Sequence, residues 1–205
     1  DLEQLAAITR HTDIVILSDE VYEHIVFDGL KHHGMATHPA LAERSVIISS
    51  FGKTFHVTGW RVGYCLAPAA LMDEVIKVHQ FLMFSADTPM QCAFADYMAD
   101  PARYLSLGEF YQRKRDLMQT LLADSPFKLL PSAGSFFLLA SYEHFSDESD
   151  SEMVKRLIVD YGVATIPLSA FYTDGTDNKL IRLSFAKDEA TLRAGAQALC
   201  QVKPR

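Results

Sequence analysis

Three short apolar runs stand out in the first third of the chain, over residues 13–18, 46–50 and 62–67. Each run is continuous rather than alternating, which is typical of a strand that is covered on both faces of a sheet. Helical periodicity precedes the first run, over residues 2–8, and returns after the third. Strands interspersed with helices predict an α/β fold with a mostly parallel sheet.

The middle of the chain has a mainly helical pattern. Helices are predicted over residues 69–83 and 88–98, and a longer helix from Pro101 toward Ala123. The longer helix has a clear start, because Asp100 can cap it and proline suits the first helical position.

Strand patterns return in the last part of the chain, where apolar runs are short and separated by turns. The strand candidates are residues 127–130, 135–141, 163–167 and 180–186. A capping box from Ser149 to Glu152 predicts a helix over residues 153–161, and a final amphipathic helix is predicted over residues 188–202.

This change of pattern divides the chain in two. We predict a portion of a large domain over residues 1–95 and a small α+β domain over residues 96–205. The chain opens at Asp1, without a methionine and already in helical periodicity. We therefore expect it to be the C-terminal part of a longer protein, with a processed N-terminus as the alternative.

Composition and charge narrow the class of protein. Hydrophobic residues make up 49% and charged residues 22% of the 205 residues, which is ordinary for a soluble globular enzyme. The net charge of −7, without a lysine and arginine cluster, argues against a nucleic-acid surface, and no apolar run is long enough to span a membrane. Three dispersed cysteines, Cys65, Cys92 and Cys200, predict reduced thiols in a cytoplasmic protein.

Four histidines are clustered in one predicted loop, which raises the question of a metal. His24, His32, His33 and His38 have no carboxylates at ligand spacing. We interpret the segment as a solvated loop and predict no metal site.

Lys53 is the candidate with the clearest chemistry. It follows the second apolar run and sits among serine, glycine and threonine, with little other charge nearby. A lysine drawn toward an apolar interior loses the solvation of its ammonium group, which favours the neutral, nucleophilic amine of a Schiff-base lysine. The alternative is a lysine at a strand end that extends its charged head into water.

Polar residues also follow two of the predicted strands. Asp19 and Tyr22 come after the first strand, and Ser50 and Lys53 after the second. In open α/β sheets, ligands bind at the carboxyl ends of the strands, so these side chains are expected to converge on one crevice. Taken alone, Asp19 is a candidate helix cap or metal ligand.

The amino-acid sequences of these segments resemble those of a known protein family. Asp19-x-x-Tyr22, Ser50-x-x-Lys53 and the segment over residues 59–64, Gly-Trp-Arg-Val-Gly-Tyr, resemble the large-domain core of class I/II aminotransferases, which use pyridoxal 5'-phosphate. The resemblance is strongest to the methionine aminotransferases and the glutamine/kynurenine transaminase group. It implies the C-terminal part of the pyridoxal-phosphate-dependent transferase fold, with an incomplete large-domain sheet.

The small-domain motifs of that family resemble two later segments, residues 134–137 and residues 180–186, which include Arg182. The resemblance implies that Arg182 forms a bidentate pair with the substrate carboxylate, a geometry that lysine cannot reproduce. Without that context, Arg182 is equally well explained as a charge on an edge strand.

The resemblance also assigns roles around the cofactor. Lys53 is implied to hold the cofactor aldehyde and then to move a proton at the substrate α-carbon. Asp19 is implied to keep the pyridine nitrogen protonated, and Tyr22 to hydrogen-bond the phenolate oxygen attached to the ring. Ser50 and Arg61 are implied to hold the phosphate, Arg61 through charge-assisted hydrogen bonds.

The predicted function is amino-group transfer between an apolar or uncharged amino acid, methionine-like or aromatic, and a 2-oxo acid. The resemblance implies a homodimer. Two alternatives are left open. The same residues would serve a carbon–sulfur β-lyase, and the chain by itself could be an inactive scaffold that lacks half of the cofactor site.

Overall fold

The structure, a computed structural model, describes residues 1–204. They form two compact units, one from Asp1 to Leu107 and one that begins at Gly108. The domains over residues 1–95 and 96–205 stay a prediction.

The first unit combines one sheet with short and long helices. Its elements are α1 (Leu2–Thr9), β1 (Ile16–Asp19), α2 (Pro39–Ala42), β2 (Ser45–Ser50), α3 (Phe51–Thr54), β3 (Gly63–Leu66), α4 (Ala69–Leu82), α5 (Thr88–Met98) and α6 (Ala102–Leu105). The predicted α/β pattern is confirmed. None of the helices over residues 1–204 is long and apolar enough to cross a lipid bilayer.

The sheet of the first unit is mixed. Its strand order is β1-β2-β3, with β1 and β2 parallel and β3 antiparallel to β2. A parallel return usually needs a full helical crossover, whereas β2 and β3 are joined by the single turn of α3 and a 3₁₀ turn, Thr58–Trp60. The carboxyl ends of β1 and β2 and the start of β3 therefore lie at one edge.

Alternation of side chains gives this sheet two faces. Asp19 is paired with Ile48, and Ser50 lies two residues beyond Ile48, so these three side chains share what we call the front face. Ser49 is paired with Tyr64, and both lie on the opposite, back face.

Aromatic packing holds the short helix α3 in place. The Phe51 and Phe55 rings lie 4.7 and 5.6 Å from the ring of Phe94, which belongs to α5 and is only 4% exposed. Trp60 contacts the same ring at 5.2 Å. A four-residue helix is not stable alone, and aromatic pairs contribute about 0.5–1.5 kcal/mol each beyond burial. The cluster therefore fixes α3, which carries Lys53.

The second unit is built on an antiparallel sheet with strand order β4-β5-β7-β6. Its elements are α7 (Leu107–Leu121), β4 (Lys128–Leu129), β5 (Phe137–Ser141), α8 (Asp150–Tyr161), β6 (Ile166–Pro167), β7 (Leu180–Ser184) and α9 (Glu189–Leu199). The predicted capping box is confirmed, because Ser149 and Glu152 each accept the other's backbone N–H before α8.

The long helix predicted from Pro101 toward Ala123 is interrupted. Ser106 separates α6 from α7, with a ψ of −7°. That angle is well away from the α-helical value of about −42°. Serine is poorly suited to a helix interior, because its hydroxyl competes for backbone hydrogen bonds.

Gly63→Ala is expected to destabilise the first unit. An added Cβ would lie 2.4 Å from the Ser49 carbonyl oxygen, which cannot move without disturbing the β2–β3 pairing. We expect the free energy of unfolding to fall by about 1–3 kcal/mol, as for other overpacked sites. Urea denaturation followed by the fluorescence of Trp60, the single tryptophan, measures it. Gly59→Ala is the matched control, because nothing lies within 4 Å of its Cβ position; equal losses in both variants would contradict this account.

Candidate active site

Five of the six predicted site residues lie at one edge of the first-unit sheet. Asp19 ends β1 and Tyr22 follows it, Ser50 ends β2 and Lys53 follows it, and Arg61 precedes β3. These residues share an edge because two parallel strands end where an antiparallel strand starts. This edge is where α/β sheets bind ligands.

The turn after β1 presents the acid and the phenol. Asp19 ends β1 with an exposed side chain, and its Oδ1 accepts a hydrogen bond from the backbone N–H of Val21 at 3.1 Å. Tyr22 follows in the same turn and is half-buried. The bond to Val21 orients the Asp19 carboxylate at the strand end.

The segment after β2 presents the hydroxyl and the amine. Ser50 caps α3, and its Oγ accepts from the N–H of Gly52 at 3.2 Å. Lys53 lies on this helix and is half-buried. Gly52 lets α3 pack closely, because a Cβ there would lie 3.0 Å from the Cα of Thr58.

Arg61 is held in an unusual backbone conformation. Its φ of 55° and ψ of 37° are left-handed. That conformation costs a residue other than glycine roughly 1–2 kcal/mol, and such costs concentrate at functional sites. The side chain is exposed, and its Nη1 donates to the carbonyl of Thr58 at 3.1 Å. The turn therefore holds the guanidinium next to its own backbone, just before β3.

Glu20 directly follows Asp19, and its side chain is buried. Its carboxylate accepts from the Ser18 hydroxyl at 3.0 Å and from the Met35 N–H at 2.9 Å, and lies 2.8 Å from His32 Nε2. Burial raises the pKa of Glu20, but these hydrogen bonds, that of His32 first, lower it by more, so the net pKa lies below its ordinary value.

The prediction of a solvated histidine loop is therefore only partly correct. His32 pairs with Glu20, and His38 lies 3.3 Å from Glu3. His24 is half-buried beside the ring of Tyr104, and burial lowers the pKa of His24. These partners are distant in sequence, so the local pattern gave no sign of them.

Arg182, the sixth predicted site residue, lies on β7 in the second unit. Its guanidinium carbon is 4.2 Å from the centroid of the Phe137 ring and 5.1 Å from that of Phe171. Its Nε is buried and has no hydrogen-bond partner among residues 1–204. Because a buried charged donor without a partner is costly, this group is suited to receive a carboxylate.

A buried acid supports the surroundings of Arg182. Asp150, 1% exposed, accepts from the N–H and the hydroxyl of Ser169 at 2.7 and 2.6 Å. Ser169 begins the 3₁₀ turn that ends at Phe171. Asp150 therefore sets the position of a ring beside Arg182, although its sequence context indicates only a helix start.

Sequence reasoning also missed Glu23, which accepts hydrogen bonds from Ser49 and Tyr64 on the back face. One signal was available: a serine interrupts the apolar run of β2 at a position that alternation assigns to a covered face. The identity of its partner could not be read from that signal.

The chemistry of the donor set at the sheet edge fits a phosphorylated pyridine aldehyde. The amine of Lys53 can bind an aldehyde, and the carboxylate of Asp19 can pair with a protonated ring nitrogen. The phenol of Tyr22 can donate a hydrogen bond to a phenolate oxygen attached to the ring. The hydroxyl of Ser50 and the guanidinium of Arg61 suit a phosphate. Pyridoxal phosphate carries all of these groups.

Comparison with known proteins gives consistent matches. The sequence model of the family described as aminotransferase class I and II matches residues 1–199. The chain is 50% identical over 197 residues to methionine aminotransferase of Escherichia coli, covering 96% of this chain and 51% of that protein. It is 35% identical to kynurenine–oxoglutarate transaminase 1 of Homo sapiens, and the match covers 95% of this chain and 51% of that protein.

Solved structures agree. The chain is similar to an Escherichia coli protein whose structure and reactivity identify a methionine aminotransferase function, with a TM-score of 0.93 and 47% identity over 98% of this chain and 55% of that one. The chain is also similar to N-succinyldiaminopimelate aminotransferase of Mycobacterium tuberculosis, with a TM-score of 0.90 and 33% identity. That match covers 97% of this chain and 52% of the other. The chain thus spans about half the length of the relatives that it matches.

Proposed function

The chain belongs to the aminotransferase class I and II family, and from that premise we propose that the protein moves an amino group between an amino acid and a 2-oxo acid, using pyridoxal 5'-phosphate. The observation that supports the proposal is that residues with an amine, a carboxylate, a phenol, a hydroxyl and a guanidinium lie at one edge of the sheet. The amino acid is proposed to be methionine-like or aromatic, since methionine and kynurenine transaminases are among the similar proteins.

Bound pyridoxal phosphate supplies an electron sink that makes the α-proton of an amino acid removable. Lys53 would hold the aldehyde of the cofactor through Nζ, and its amine would move the proton at the substrate α-carbon. Asp19 would keep a proton on the ring nitrogen through its carboxylate. Tyr22 would donate its phenolic hydrogen to the phenolate oxygen attached to the ring. Ser50 and Arg61 would hold the phosphate.

Arg182 is proposed to bind the substrate carboxylate. Its unpartnered Nε and its planar fork suit a bidentate pair. Phe137 and Phe171 flank the guanidinium with apolar rings. An uncharged, apolar substrate side chain is therefore better matched to these surroundings than a second carboxylate.

We also propose a homodimer in the cytoplasm. Helix α4 and the residues after it expose large apolar side chains, with Phe81 and Phe84 both 86% exposed, which suits burial against another subunit. The three thiols are free, as expected of a reducing compartment: Cys65, Cys92 and Cys200.

Lys53→Ala is expected to abolish the visible absorption of bound pyridoxal phosphate, because no amine then reaches the aldehyde. The protein is purified at its full natural length, mixed with pyridoxal phosphate and recorded by absorption spectroscopy. Lys77→Ala is the matched control, since Lys77 is exposed on α4 and forms an ion pair with Glu74, three residues before it. A visible band that persists in Lys53→Ala would remove this lysine from the proposed role.

Arg182→Lys is expected to raise KM for the amino acid about 10–100-fold, because a lysine cannot form the bidentate pair and charged hydrogen bonds are worth roughly 1.5–3 kcal/mol. The affinity for pyridoxal phosphate should change less than about twofold, since Arg182 is not assigned to the cofactor. Steady-state kinetics and cofactor titration measure the two effects. Arg193→Lys, at an exposed pair with Glu189, is the control; equal losses of substrate and cofactor binding in Arg182→Lys would refute the assignment.

A further inference from the structure

We infer that Glu23 is a positioning residue for the cofactor edge, whose carboxylate ties the turn that carries Tyr22 to the end of β2 and the start of β3. The inference rests on the proposed function, because that function assigns the cofactor to this edge. Glu23 is not assigned a contact with the cofactor. It acts through the segments that it joins.

One carboxylate oxygen connects the three segments. Glu23 Oε1 accepts a hydrogen bond from the hydroxyl of Ser49 at 3.0 Å and another from the phenol of Tyr64. Glu23 follows Tyr22 directly, and Ser49 directly precedes Ser50. Tyr64 is the second residue of β3, immediately after Gly63. Glu23 and Ser49 are therefore each next to a proposed cofactor residue, and Tyr64 lies three residues after Arg61.

Burial makes these hydrogen bonds consequential. Ser49 is 2% exposed, and an unmade hydrogen bond at a buried site costs more than one at the surface. Burial raises the pKa of the Tyr64 phenol to about 12, and its hydrogen bond to Glu23 acts in the same direction. The phenol therefore stays protonated across the physiological pH range and continues to donate. Hydrogen bonds to a carboxylate are also stronger than neutral ones.

The sheet separates Glu23 from the cofactor groups. Ser49 and Tyr64, which donate to it, lie on the back face, whereas Asp19 and Ser50 lie on the front face. The loss of a bond to Glu23 would therefore leave each cofactor group chemically intact. It would change only how well those groups are held relative to one another.

The same turn contains a natural comparison. Glu20 accepts from Ser18 at 3.0 Å, the same length as the bond from Ser49 to Glu23. The side chain of Glu20 bonds to Ser18 in β1 and to His32 and Met35 in the loop after it, and among residues 1–204 it makes no bond to β3. Ser18→Ala and Ser49→Ala thus each delete one serine–glutamate bond without changing the net charge.

The test compares Ser49→Ala and Tyr64→Phe with Ser18→Ala in the full-length protein. Pyridoxal phosphate affinity is titrated, the visible circular dichroism is measured per bound cofactor at saturation, and Tm is recorded. Ser49→Ala and Tyr64→Phe are expected to weaken cofactor binding about tenfold and to reduce the circular dichroism per bound cofactor. Ser18→Ala is expected to lower Tm by a similar amount with unchanged circular dichroism per bound cofactor.

Rescue separates positioning from folding. Glu23→Gln keeps an acceptor oxygen and should recover most of the dichroism that Glu23→Ala loses. If Ser49→Ala, Tyr64→Phe and Ser18→Ala all lower Tm and leave the dichroism per bound cofactor unchanged, the inference is wrong. If the unaltered protein itself shows no visible dichroism with pyridoxal phosphate, the proposed function fails instead.

Discussion

At Gly63 the backbone of β3 passes so close to Ser49 that a single added methyl group would overlap the Ser49 carbonyl oxygen. This approach permits the register in which Tyr64 opposes Ser49 and Gly63 opposes Ser50. Because β3 runs antiparallel to β2, the segment before it brings Arg61 to the edge where β1 and β2 end. The proposed cofactor site of the first unit depends on this pairing, since each of its residues lies near one of three strand termini.

The two faces of the sheet carry two different kinds of residue. The front face and the adjoining turns carry the groups proposed to contact the cofactor, and the back face carries the hydrogen bonds that hold those turns together. Helix α3 is too short to hold Lys53 by itself, and the ring of Phe94 fixes it from one side. The role proposed for Lys53 needs its amine within reach of both an aldehyde and an α-proton, so a small displacement of α3 is expected to lower the proposed activity.

Candidate site residues are easier to predict from the sequence than the residues that support them. Lys53 and Arg182 could be proposed because the proposed chemistry demands one residue type in a recognisable local sequence. The strand over residues 46–50 could be predicted because a short, continuous apolar run is typical of a buried strand. The bond from Tyr64 to Glu23 joins residues 41 apart, and Asp150 reaches Ser169 across 19. Such pairs depend on tertiary packing, which periodicity and composition do not report.

The most direct test of the account is to locate the cofactor by chemistry. Borohydride reduction of the full-length protein with pyridoxal phosphate joins the cofactor permanently to any lysine that holds it, and mass spectrometry of the digested protein identifies that lysine. One modified peptide is expected, the one that contains Lys53, in a stoichiometric amount. Modification of another lysine, with the Lys53 peptide unchanged, would contradict the role proposed for Lys53.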